Sequence, residues 1–192
     1  MKPATRIQYN SPVVLTYALL SLAALGLSAI TDGASNRLLF SVYRAPLTDP
    51  LMYVRLFTSA IGHANWQHFF GNFSLILLIG PLLEEKYGGK ELVIMMAVAS
   101  LAGSLFFIAT APHGRALGAS GVVFALVVLT SCTNFEKGRI PLTFILIMIL
   151  WVGREVVIMA QGGIGNINHM AHIIGGLCGA AFGMLSYKEK AE

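Results

Sequence analysis

Three short stretches hold residue types that could do chemistry together. Gly118-Ala119-Ser120-Gly121 sets a serine between glycines at the head of an apolar run, where backbone and substrate can approach each other closely. A serine hydroxyl is a weak nucleophile until a base takes its proton, and neutral histidine suits that task near neutral pH. The other two stretches carry histidines. His68-x3-Asn72 puts two polar side chains four residues apart, on one face of a helix. Ala171-His172 leads into Gly175 and Gly179, whose G-x-x-x-G spacing lets a neighbouring helix come close. Taken singly, each has a bland counterpart: a small-residue helix start, an interfacial histidine, a packing motif.

Composition decides what kind of scaffold must position these groups. Apolar residues make up 56% of the 192-residue chain and charged residues 11%, with a net charge of +4. That balance defines an integral membrane protein. The small basic excess matches membrane-flanking Lys and Arg, and no basic stripe with interleaved aromatics points to a nucleic acid. Cys132 and Cys178 sit in apolar runs without a C-x-x-C partner, so they read as small buried hydrophobes.

In chain order, Lys2 and Arg6 precede an apolar run from Val13 to Ile30, longer than a signal-peptide core and expected to be the first membrane helix. Thr31 to Gln67 is too polar to span and too apolar to lie free in water. It is expected in the membrane interface as a partly embedded loop with short helical turns. Further helices are expected at about 68–83, 92–111, 119–133, 141–160 and 170–187, giving one all-α domain of six membrane helices over residues 1–192. The charged stretch Glu84 to Lys90 is expected as a turn. The fourth helix has an apolar core of roughly 20 Å, against a hydrocarbon layer of about 30 Å, so Ser120 should start below the membrane surface.

If six helices alternate, Lys2, Arg6, Lys86, Lys90, Lys137, Arg139, Lys188 and Lys190 fall on one side, which the positive-inside bias makes cytoplasmic along with both termini. Helices two, four and six then start on the outer side. Their starts carry His68, Ser120 and His172, so the polar groups converge at one depth.

On these residues the chain resembles the rhomboid intramembrane serine proteases, of the bacterial six-helix type. The resemblance runs from about Arg55 to the C-terminus and rests on Gly118-Ala119-Ser120-Gly121, Ala171-His172-x-x-Gly175 and His68-x3-Asn72 occurring on alternate helices. It implies peptide-bond hydrolysis in or near transmembrane segments of membrane-protein substrates, in a bacterial cytoplasmic membrane, with no cofactor or metal. It also implies that Ser120 is the nucleophile and His172 its base, while His68, Asn72 and the Ser120 backbone N–H stabilise the oxyanion. Gly118, Gly121, Phe124, Gly175 and Gly179 would support them. Two positions depart from the common pattern: Val54 stands before Arg55 where many relatives have Trp, and Phe124 often corresponds to Tyr. Phe124 can still stack on His172, and Arg55 is expected to brace the first loop.

Two rival readings stay open on sequence. One is a metal- or haem-binding membrane protein using His63, His68, His169 and His172. The other is a non-catalytic relative that binds membrane segments. For the protease, the remaining question is a third member beside Ser120 and His172. Glu155 is the acid left near the outer end of helix five, and beside Arg154 it is expected to snorkel to the interface, leaving a Ser-His dyad.

Overall fold

The computed structural model describes residues 7–111, 113–133, 139–161 and 166–191. Lys2, Arg6, Pro112, residues 134–138 with Glu136 and Lys137, and Glu192 lie outside the described residues. The helices are α1 (Pro12–Ile30), α2 (Ala34–Leu38), α3 (Pro50–Thr58), α4 (Trp66–Tyr87) and α5 (Gly89–Thr110). They continue as α6 (Ser120–Ser131), α7 (Leu142–Ile147), α8 (Gly153–Ala160) and α9 (Asn166–Ala191). The protein is an all-α membrane bundle. Pro12–Ile30, Trp66–Tyr87, Gly89–Thr110 and the His169–Ser186 part of α9 are each long and apolar enough to cross a bilayer.

The other two expected spans differ for physical reasons. With 12 residues, α6 reaches about 18 Å and falls short of the hydrocarbon thickness. The fifth is interrupted: a π-helical segment, Met148–Val152, separates α7 from α8 while the backbone stays in the right-handed helical region. Each π turn adds a residue relative to α geometry, rotating the side chains beyond it by about 100°.

The turn expected at Glu84 lies later, at Gly88, whose φ of 88° ends α4. Glu84 stays helical because it has a partner elsewhere. Its carboxylate accepts the Ser11 hydroxyl at 2.6 Å and the backbone N–H groups of Val13 and Val14 at 2.9 and 3.0 Å. Those N–H groups at the start of α1 have no partner within the helix, and the positive end of its dipole favours the negative charge.

The long first connection contains α2 and α3. Asp49 caps α3 by accepting the Leu51 N–H and pairs with Arg55 at 2.5 Å. This pairing holds the Asp49 carboxyl below its usual pKa, chiefly through the Arg55 hydrogen bond. Arg55 is 1% exposed, lies 4.3 Å over the Tyr43 ring and also donates to the Leu38 carbonyl. It braces the loop internally, while Tyr53, Val54 and Phe57 face outward as an interfacial segment requires. Arg44 donates to the carbonyls of Ile108 and Ala109, satisfying acceptors left over at the C-terminal end of α5.

The bundle centre is α6, packed against α4, α5 and α9. Val122, Ala125, Leu126, Val128 and Leu129 are all buried. Its contact with α9 runs backbone to backbone: a Cβ at Gly175 would lie 2.1 Å from the Gly121 carbonyl oxygen, and one at Gly179 2.2 Å from that of Ala125. Neither oxygen can swing aside as a flexible side chain would. Gly175→Val and Gly179→Val are each expected to destabilise by about 3 kcal/mol or more, at the upper end of overpacking costs. By size scaling this lowers the melting temperature in detergent by at least roughly 6 °C. Unchanged melting in both variants would remove this face from the helix interface.

Candidate active site

The start of α6 is fixed before its first residue. The Gly118 N–H donates to the Ser59 carbonyl at 2.9 Å, and Val42 and Ala116 exchange backbone hydrogen bonds, so the first loop holds the segment entering Ser120. Gly118 has φ 128°, and a Cβ there would come within 2.5 Å of the His68 ring. Only glycine meets both demands. His68 reaches this position because Asn65 caps α4, accepting the His68 N–H at 2.8 Å.

Ser120, His68, Asn72, Gly118, Phe124 and His172 all line one cavity of ≈ 620 Å³. Gly121 and Ala171 line it too, so the α6–α9 contact forms its wall. The structure thus brings together the residues singled out on three helices far apart in sequence. No hydrogen bond links the Ser120 hydroxyl to His172 among the described residues; such bonds commonly tighten only when substrate is present. The His172 ring stacks on Phe124 with centroids 4.4 Å apart and planes 12° from parallel, and Trp151 meets the Phe124 ring edge-on at 5.0 Å. Stacking therefore needs no hydroxyl at position 124.

Glu155 is where the structure overturns the sequence reading. Far from snorkelling to water, it is 0% exposed, and its Oε2 accepts from His172 Nδ1 at 3.2 Å and from His169 Nδ1. Oε1 accepts from Arg154 at 2.8 Å. The inward position follows from the π segment just before α8, which turns the Glu155 face toward α9. An acid in an apolar helix near a histidine was the available sequence signal, because buried carboxylates in membrane segments have partners.

His63, which the sequence offers only as a metal ligand of the rival reading, is 0% exposed, packed edge-on against Phe69 at 5.5 Å, and bonded at both nitrogens. Nδ1 lies 3.0 Å from the Ile61 carbonyl and Nε2 lies 3.0 Å from Asn72 Nδ2. A carbonyl only accepts, so the ring proton is on Nδ1, and Nε2 accepts from the Asn72 amide. The pattern fixes which end of that amide is nitrogen. One amide hydrogen is held by His63 and the other is left for a second acceptor.

Burial pushes His63 down to about 4; the Ile61 hydrogen bond opposes the shift and the His68 ring, 5.1 Å away, adds to it. Because the folded pKa lies below the unfolded value of about 6.5, the unfolded chain binds more protons between the two. The stability contributed by neutral His63 is complete above about pH 6.5 and drains away as pH falls toward 4. Melting temperature is expected to drop across that window, with a shallower slope in His63→Gln. Parallel slopes for the two proteins would assign the acid sensitivity elsewhere.

The fold and cavity define a class: a helical protein of the bilayer whose polar groups from separate helices line one cavity between them. Residues 50–189 match the sequence profile of the Rhomboid domain. The chain belongs to the rhomboid family. It is 30% identical over 155 residues to Rhomboid-like protease 1 of Toxoplasma gondii, covering 78% of this chain and 53% of that protein. Rhomboid-related protein 1 of Caenorhabditis elegans is 29% identical over 134 residues, 63% of this chain and 36% of that protein. RHOMBOID-like protein 5 of Arabidopsis thaliana is 27% identical over 132 residues, 64% and 40% respectively. The chain spans about half the length of these curated relatives, or less.

Proposed function

We propose that this protein is an intramembrane serine endopeptidase that hydrolyses peptide bonds in or near transmembrane segments of membrane-protein substrates. The observation that carries this reading is the shared cavity: Ser120 and His172 line it from two helices held backbone to backbone, and His68 and Asn72 line it from α4. In the mechanism, His172 Nε2 takes the Ser120 proton as the hydroxyl attacks the scissile carbonyl. His68, Asn72 and the Ser120 N–H donate to the developing oxyanion, where each such donor is worth about two to three orders of magnitude in rate. His172 then returns the proton to the leaving amine, and water releases the acyl group by the same route in reverse.

The expected dyad becomes a Ser120–His172 pair with Glu155 at the third position. Its carboxylate at Nδ1 holds the ring proton there and leaves the Nε2 lone pair for the serine, while Phe124 fixes the ring plane. We place both termini on the cytoplasmic side, from the distribution of Lys and Arg. A bacterial membrane rests on the six-helix resemblance alone, since the relatives compared are eukaryotic.

Labelling with a serine-reactive fluorophosphonate tests the proposal directly: the parent should label and Ser120→Ala should not. A label retained in Ser120→Ala, or none in a well-folded parent, would sink the nucleophile assignment. The buried start of α6 also implies that a substrate helix must unwind to present its backbone. A Gly-rich segment is expected to be cut faster than an all-Leu one, by about tenfold if the helix-propensity cost of a few glycines is what lowers the unwinding barrier. Equal rates would show that unwinding does not limit the reaction.

A further inference from the structure

The proposed hydrolysis uses His172 and its carboxylate partner but gives His169 no task. Yet His169 is placed as deliberately as His172. The two lie three residues apart on α9, on one face, and both direct Nδ1 at the same Glu155 oxygen. One donor atom from each of Glu155, His169 and His172 lies within 4.8 Å of the others. The carboxylate is fully buried and the histidine side chains are 18% and 19% exposed, so the donor set is enclosed but reachable.

Two imidazoles and one carboxylate form a set suited to zinc and neighbouring transition ions, with bonds of about 2.0–2.2 Å and an open position for water. Calcium and magnesium prefer shells of oxygen and fit poorly. Among the described residues, the four histidines of the rival metal reading do not gather at one site. His63 and His68 belong to the α4 side of the cavity, with His63 committed at both nitrogens.

We propose that Glu155, His169 and His172 form an inhibitory site for a divalent transition ion of the zinc type. The inference rests on the reading of His172 as the base. A neutral imidazole carries one proton. With that proton on Nδ1, donated to Glu155, the Nε2 lone pair is free to accept from Ser120. An ion bonded to Nδ1 occupies the lone pair there, so the ring proton must move, through solvent, to Nε2. His169 makes the same exchange, the carboxylate stays ionised, and no proton is gained or lost overall. The serine then faces an N–H where it needs an acceptor, and hydrolysis stops. Arg154 holds the other carboxylate oxygen at 2.8 Å, with a side chain 67% exposed. It keeps Oε2 aimed at the histidines in the ion-free site, and its exposure lets it swing toward water and relieve its repulsion of a bound ion.

The test uses purified protein in detergent, stripped with EDTA. It is titrated with cobalt(II), whose visible absorption reports coordination, and in parallel with zinc while cleavage of a transmembrane substrate is followed. One equivalent of cobalt should produce an absorption band that zinc abolishes. Zinc should lower cleavage at least tenfold, and EDTA should restore it. His169→Ala should lose the band, retain measurable cleavage, and need at least about 100-fold more zinc for half inhibition, beyond the usual cost of losing an outer partner of a metal site. His169→Gln serves the same purpose should the alanine variant melt early. A band that survives in both variants, or zinc sensitivity equal to that of the parent, overturns the site. A His169-dependent band in a protein that never cleaves leaves the ion site standing and overturns both the protease reading and the inhibitory role built on it.

Discussion

Ser120→Ala is expected to melt like the parent and to cleave a transmembrane substrate no faster than a mock preparation. The hydroxyl is small, sits at the first residue of α6, and makes no hydrogen bond among the described residues, so removing it leaves the packing of Ala119, Val122 and Phe124 intact. His172→Ala should be equally silent, because it removes the proposed base, which stacks on Phe124 at the cavity wall. His169→Ala should keep measurable activity, as its ring lies three residues earlier on α9 and meets His172 only edge-on, at 6.1 Å. Activity lost in His169→Ala and kept in His172→Ala would move the site one turn toward the start of α9.

Glu155→Gln is expected to lower turnover by between about 10² and 10⁴, the upper figure being the loss when an orienting carboxylate becomes an amide in a serine protease triad. The amide is nearly isosteric, so packing is preserved. What changes is the proton. A glutamine NH₂ can donate to His172 Nδ1 and drive the ring proton to Nε2, the atom that must accept from Ser120. The loss should fall on kcat more than on KM, since no substrate contact is removed. Glu155→Asp, which keeps the charge and shortens the reach, should recover part of it. A variant that melts normally and turns over within tenfold of the parent would restore the simple dyad, with Phe124 stacking alone holding the base.

These two experiments bear on residues that differed in how far the sequence revealed them. Ser120, His68, Asn72 and His172 were legible because each sits in a local pattern that survives folding: a glycine pair before a helix, an i, i+4 pair behind an Asn cap, a histidine beside a G-x-x-x-G face. Glu155 was not. Its direction depends on the π segment at Met148–Val152, and nothing in Met148-Ile149-Leu150-Trp151-Val152 marks where a helix gains an extra residue per turn. Reading α helix through that stretch aims the acid about 100° away from its true partner. His63 failed for another reason: its role depends on two contacts, Ile61 behind it and Asn72 on the next helix, that only the folded loop brings to opposite ends of one ring. The late end of α4 has the same origin, since Glu84 stays helical by virtue of α1.

That last pairing bears on the order in which the protein assembles. The residues that start α1 leave the ribosome before α4, and the carboxylate that satisfies them comes seventy positions later, at Glu84. Until α4 has been threaded into the bilayer, the first helix must rely on water for its leading amides and so has reason to remain near the surface at that end. When Glu84 arrives, the amides exchange water for a charge and α1 becomes latched to α4. Made before α4, α1 is therefore completed only after it. A chain stalled before α4 would carry an anchor that is inserted but not yet committed to its place in the bundle.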